Sequence, residues 1–131
     1  MGEDEPDDLY DILLDESIDD PIYRALANQR RRYVLYVLKE RERITMDELA
    51  DVLTGWIHAR EYRMASSVDR EQLATELREA DIPALEDAGL ARYDDRKAVL
   101  TLAELPPPVA RLLDWAQRND YENSPDPNTS W

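Results

Sequence analysis

Residues 33 to 38, "YVLYVL", leave a helix no polar face to turn toward water. A surface helix needs one apolar stripe, whereas a helix apolar nearly all round must be surrounded by the rest of its chain. Val34 and Leu38 stand four apart within the run, and Ile22 and Leu26 repeat that spacing just before it. A chain of 131 residues can build one core around such a helix, but not two once irregular ends are allowed for. One compact domain with a central helix is expected.

The segments that follow supply its neighbours. In "ITMDELADVL", Thr45 and Glu48 have the spacing of a capping box, and Ile44 can pack on Leu49 as a hydrophobic staple. Leu49, Leu53 and Ile57 continue one stripe through Gly55, where a lone glycine costs a helix only about 1 kcal/mol. A second start signal lies in "VDREQL", with Asp69 three residues before Gln72 and Val68 placed to meet Leu73; Leu73, Leu77, Ala80 and Leu85 form the face beyond. Pro83 deletes the backbone bond back to Glu79, so this helix should bend or divide near Asp81. Gly89 reads as its C-terminal cap. "LARYDDRKAVLTL" then reads as a strand over Leu90 to Tyr93, a turn over Asp94 to Lys97 and a strand over Ala98 to Leu102.

Helix, helix, capped helix, helix, glycine and β-hairpin, in that order, predict a mainly α fold with a C-terminal β-hairpin wing, the winged helix-turn-helix. Its expected core is Leu26, Val34, Leu38, Leu49, Leu53, Leu77, Leu85, Leu90 and Leu100. The division expected is an acidic arm over 1–20, the winged-helix domain over 21–104, a helix over 105–118 and a flexible tail over 119–131. In the arm, "LYDILLD" can dock as a short helix through Leu9, Ile12 and Leu13, while the first eight residues bury too little to offset their ordering entropy. The helix over 105–118 carries Val109, Leu112, Leu113 and Ala116 with little domain left to pack on. Those four, with Leu9, Ile12 and Leu13, are therefore the expected contact of a homodimer.

Composition removes several functions. The absence of cysteine excludes thiol chemistry and thiolate metal sites, and a single histidine, His58, argues against a histidine-rich metal centre and reads as a helix-surface or interface residue. No metal, no cofactor and no catalytic constellation is legible, so an enzyme is not expected. No apolar run reaches membrane-spanning length and the start is acidic, which points to a cytoplasmic protein. The net charge of −14 is uneven: the first 20 residues hold ten acidic and no basic side chains, whereas residues 21 to 58 hold seven basic against five acidic. Thirty carboxylates beside only two lysines suit a halophilic protein that stays hydrated in strong salt, where the Debye length falls to about 3 Å near 1 M and repulsion from an anion is screened. A negative total thus leaves double-stranded DNA open as a partner.

In a winged helix, the helix before the hairpin enters the major groove and the wing reaches the backbone. The candidate DNA contacts are Thr75 and Arg78 on that helix, Arg92, Arg96 and Lys97 in the wing, and the triplet Arg30, Arg31 and Arg32, which equally suits a solvated helix face. Three blocks, "ALANQRRRYVLYVL", "ITMDELADVL" and "DIPALEDAGLARYD", resemble the small winged-helix proteins of halophilic archaea related to ArsR-like regulators, over about residues 22 to 102. That resemblance implies a DNA-binding transcription regulator. The chain departs from the pattern where Glu79 and Asp81 replace two histidines around the Leu-Pro step, and carboxylates repel phosphate. The alternative is a winged-helix module that contacts another protein without binding DNA.

Overall fold

The computed structural model describes residues 4–61 and 67–123. In chain order these form α1 (Asp4–Leu13), α2 (Asp20–Leu26), α3 (Gln29–Arg41), β1 (Arg43–Thr45), α4 (Met46–Glu61), α5 (Ser67–Glu76), a single π-helical turn (Leu77–Asp81), α6 (Ile82–Asp87), β2 (Ala91–Asp94), β3 (Val99–Leu102) and α7 (Pro107–Asn123). The helix without a polar face is indeed the centre. All six residues from Tyr33 to Leu38 are buried in α3, and α2, α4, α7, β1 and β3 pack against it. Of the nine expected core leucines and valines, only Leu26 is merely half-buried.

The sheet has three strands rather than two. β3 lies in the middle, antiparallel to both neighbours, with Leu100 opposite Ile44 on one side and Tyr93 on the other. β1 escaped the sequence reading because three residues are too few to show alternation, and because Thr45 carries a second signal. The capping box is present: the Glu48 N–H donates to Thr45 Oγ1 at 3.1 Å, while the Thr45 N–H donates back to Glu48 Oε1 at 3.4 Å. One residue therefore ends a strand and starts a helix. The third strand gives the hairpin the support that an isolated two-stranded ribbon lacks. Helix, strand, two helices and hairpin around a β1-β3-β2 sheet is the winged-helix topology.

Pro83 divides the helix before the wing, as its missing N–H requires. The break is taken up one step earlier by the π turn, in which the Ile82 N–H donates to Leu77 O, five residues back. Beyond α6, Gly89 adopts φ +76°, a left-handed conformation suited to glycine, and the Leu90 N–H returns to Leu85 O at 2.9 Å. This closure aims the chain from α6 into β2.

The flanks differ from expectation. α1 begins at Asp4, inside the stretch expected to lack structure, and α7 continues to Asn123, past the predicted end at 118. Residues 124–131 of the expected tail lie outside the described residues. α7 also does have something to pack on: it lies against α3 and α1, and Val109, Leu112, Leu113 and Ile12 are buried within one copy of the chain. Leu9 and Leu13 pack partly buried against the same core, and Ala116 is half-buried. The premise that made these seven a dimer contact fails, because α1 supplies the apolar face that a second copy was expected to bring.

Candidate nucleic-acid interface

The wing is built by its own turn. Asp94 Oδ1 accepts from the backbone N–H of Arg96 at 2.9 Å and of Lys97 at 3.2 Å, which folds the tip over and turns the chain back through Ala98 at φ +54°. Glu86 on α6 accepts from the Tyr93 N–H at 3.0 Å, tying the wing to the helix before it. Arg92, Arg96 and Lys97 are all exposed, and among the described residues none of their side chains makes a hydrogen bond or ion pair. Arg78, exposed on the π turn, is in the same condition. Thr75 is half-buried, with its hydroxyl donating to Glu71 O within α5 at 3.0 Å.

The arginine triplet is arranged differently. Arg30 donates from Nε to Asp81 Oδ2 at 2.5 Å, from Nη2 to Asp81 Oδ1 at 3.3 Å and from Nη1 to Glu76 Oε1 at 2.8 Å. Arg31 Nε adds a bond to Asp81 Oδ1 at 3.0 Å. Asp81 is 0% exposed, and three N–H groups of these two guanidinium groups satisfy its carboxylate. The Asp81 hydrogen bond, with smaller help from Glu76, raises the Arg30 pKa further above its ordinary value. Arg32 faces the other way. Its Nε and Nη2 grip Asp120 of α7 at 2.8 and 3.0 Å, its Nη1 donates to Leu26 O at 2.9 Å, and the Tyr36 hydroxyl joins on Asp120 Oδ2 at 2.5 Å. Burial, then the hydrogen bond to Asp120, pushes the Tyr36 hydroxyl far above the usual phenol range.

The triplet thus bolts α3 to the π turn on one side and to α7 on the other. Within this structure each arginine of the triplet is ion-paired with a protein carboxylate, so the candidate DNA contacts whose cations have no protein partner among the described residues are Arg78 and the wing residues Arg92, Arg96 and Lys97.

Two features escaped the sequence reading. Asp81 stands four residues after Leu77 and four before Leu85, on the apolar stripe itself, and a carboxylate there signals a buried cationic partner. His58 is not a surface residue: it is 6% exposed on α4, with Nε2 at 3.6 Å from Asp69 Oδ2. Nothing in "GWIHAR" distinguishes the buried face at that point, since Gly55 and Trp56 beside it are exposed.

Among the described residues no group of three or more His, Cys, Asp or Glu side chains is placed to hold a metal ion, and no helix is long and apolar enough to cross a membrane. Searches of curated proteins and of solved structures return no match to the chain. A family model does match, over residues 23–101, a stretch from within α2 to within β3 that holds β1, β2, all of β3 but its last residue and every helix between the strands. The chain belongs to that family, a domain of unknown function designated DUF7344.

Proposed function

We propose that the protein is a DNA-binding transcription regulator that presents the α5–α6 helix to the major groove of duplex DNA and the wing to the adjoining backbone. The observation that carries this reading is the pairing pattern of the basic residues. Arg78, Arg92, Arg96 and Lys97 are exposed and uncommitted and lie together on the helix before the wing and on the wing itself, whereas Arg30, Arg31, Arg32 and Arg70 are matched to carboxylates. Arg78 is the strong donor available for base edges, and the wing cations suit phosphate oxygens. The resemblance to winged-helix regulators supports the same assignment.

Action as a homodimer belongs to the proposal, because two-fold pairing would set two reading helices on half-sites about 34 Å apart. With Ile12, Val109, Leu112 and Leu113 buried and Leu9, Leu13 and Ala116 partly buried inside one chain, the most exposed large apolar side chains among the described residues are Tyr10, Leu14 and Tyr121, at 68%, 81% and 75% exposure on and beside α1 and α7. Equilibrium sedimentation of the intact protein and of Leu14→Asp with Tyr121→Asp tests this surface; a monomeric intact protein removes the dimer from the proposal.

A second reading, a protein-binding winged helix, is favoured by the exposed carboxylates Glu71, Glu79 and Asp87 along the helix that would face DNA. Fluorescence anisotropy with duplex genomic fragments across a salt series separates the two. Saturable binding whose affinity falls with a steep log–log salt slope supports the regulator. A folded protein that shows no saturable binding at any salt concentration transfers the assignment to protein contact.

A further inference from the structure

Between α4 and α5 lies a cleft of about 180 Å³ lined by Arg30, Thr54, Ile57, His58, Asp69, Gln72, Leu73 and Glu76. A water molecule takes about 30 Å³ in the liquid, so the space admits about six waters or a ligand of comparable heavy-atom count. Two of its side chains, Thr54 and His58, are each 6% exposed, and Thr54 Oγ1 and His58 Nδ1 are buried with no hydrogen-bond partner. Buried polar atoms are nearly always satisfied, and an orphaned pair on the wall of one cleft calls for an occupant that enters it.

The lining defines that occupant. Arg30 is the permanent cation among these residues, and three of its five N–H donors already go to Asp81 and Glu76, so two carboxylates match its single charge. What remains is rich in acceptors. With the Nε2 side of His58 turned toward Asp69 Oδ2, a proton on Nε2 leaves Nδ1 with a lone pair. Glu76 uses Oε1 for Arg30, and neither its Oε2 nor the Gln72 amide makes a further bond. Thr54 accepts as readily as it donates, and Ile57 and Leu73 supply an apolar wall for a short alkyl chain.

We infer that the cleft between α4 and α5 is a binding site for a small organic cation, an alkylammonium with N–H donors for Thr54, His58 and Glu76. Because Glu76 is shared with Arg30, and Arg30 with buried Asp81, an occupant touches the same ion pairs that hold the π turn. Binding itself does not depend on the protein contacting DNA.

His58 is the lone histidine, so its imidazole resonances report on the site without ambiguity. The probe is propylammonium chloride, exchanged for tetramethylammonium chloride at constant chloride so that charge and ionic strength stay fixed while N–H donors vary. A saturable shift of the His58 resonances with propylammonium alone is expected. Thr54→Val, with folding checked by its melting curve, should weaken that binding about fivefold, the worth of one net hydrogen bond of about 1 kcal/mol. Glu76→Gln should weaken it as well and keeps the test open should Thr54→Val misfold. An unsaturable shift, an equal shift with tetramethylammonium, or binding unchanged in both variants overturns the site and leaves the DNA proposal standing.

Discussion

Two basic clusters sit on one acidic chain, the triplet Arg30–Arg32 at the start of α3 and the trio Arg92, Arg96 and Lys97 in the wing, and they do different work. By sequence both are clusters of cations, and only the wing's has carboxylates beside it, Asp94 and Asp95. In the fold, the triplet is half-buried and donates to Asp81, Glu76 and Asp120, whereas the wing side chains are exposed and donate to nothing within the described protein. The difference lies in the carboxylates. Asp94 folds the wing turn and remains in water, while Asp81 is fully enclosed and takes three hydrogen bonds from Arg30 and Arg31. A basic cluster is structural when the acid opposite it is buried, and available when that acid is solvated.

The sharpest test of this division is Asp81→Ala. Removing one member of a buried ion pair leaves the other charge uncompensated, at a cost of about 3 to 5 kcal/mol. Urea unfolding should show that loss together with loosening of the π turn, since Arg30 and Arg31 would retain no acceptor there except Glu76. Stability within about 0.5 kcal/mol of the original protein would mean that the triplet is as free as the wing.

Next in size is the α7 side of the triplet. Tyr36→Phe deletes a hydrogen bond to the charged Asp120, a contact worth about 1.5 to 3 kcal/mol, while keeping the buried ring. The pH dependence has a definite sign. Burial and Asp120 raise the Tyr36 pKa in the folded state above its ordinary value of 10.0, so the stabilisation is complete below pH 10 and is lost as pH rises toward the folded-state value. The unmodified protein should therefore lose stability above pH 10 and Tyr36→Phe should lose less, as melting temperatures taken across the alkaline range would show.

These same residues show how much of the molecule was legible beforehand. The central helix, the Thr45–Glu48 box, the break at Pro83, the Gly89 cap and the hairpin all rest on local chemistry, and each is present in the fold. β1 was hidden because its pairing with β3 spans more than fifty residues and leaves no periodic trace in three. The Asp120 contact was hidden for the same reason, since Arg32 and Tyr36 meet it 88 and 84 residues away. A buried tyrosine in "YVLYVL" nevertheless announces that a partner must exist. What the cations do was illegible for another reason: charge type is written in the sequence, whereas solvation is a property of the packed whole.

A smaller effect isolates the wing from the triplet. Ala98 holds φ +54° where the hairpin turns into β3, a conformation that costs an L-residue about 1 to 2 kcal/mol. Glycine removes that strain but gives the unfolded chain more freedom, so Ala98→Gly should gain about 0.5 kcal/mol net. Chemical denaturation measures it. A loss instead of a gain would show that the Ala98 side chain, half-buried against the core, contributes more than its backbone strains.

The smallest effect on the fold is expected where the effect on binding is expected to be plain. Arg96→Ala with Lys97→Ala alters two exposed side chains without partners and leaves intact the two backbone N–H groups that Asp94 holds, so stability should stay within about 0.5 kcal/mol. If those side chains meet phosphate, the same double variant weakens binding to all duplex sequences alike and reduces the log–log salt slope by roughly 2, about one unit for each lost contact. Arg78→Ala should instead narrow the gap between preferred and random sequences, because a donor at base edges discriminates while a donor at phosphate does not. Running both variants beside Asp81→Ala closes the comparison: the triplet's partner should move stability and the wing should move salt dependence. Should the double variant bind with an unchanged slope, the wing's cations are merely a solvated turn and any DNA contact must lie elsewhere on the α5–α6 face.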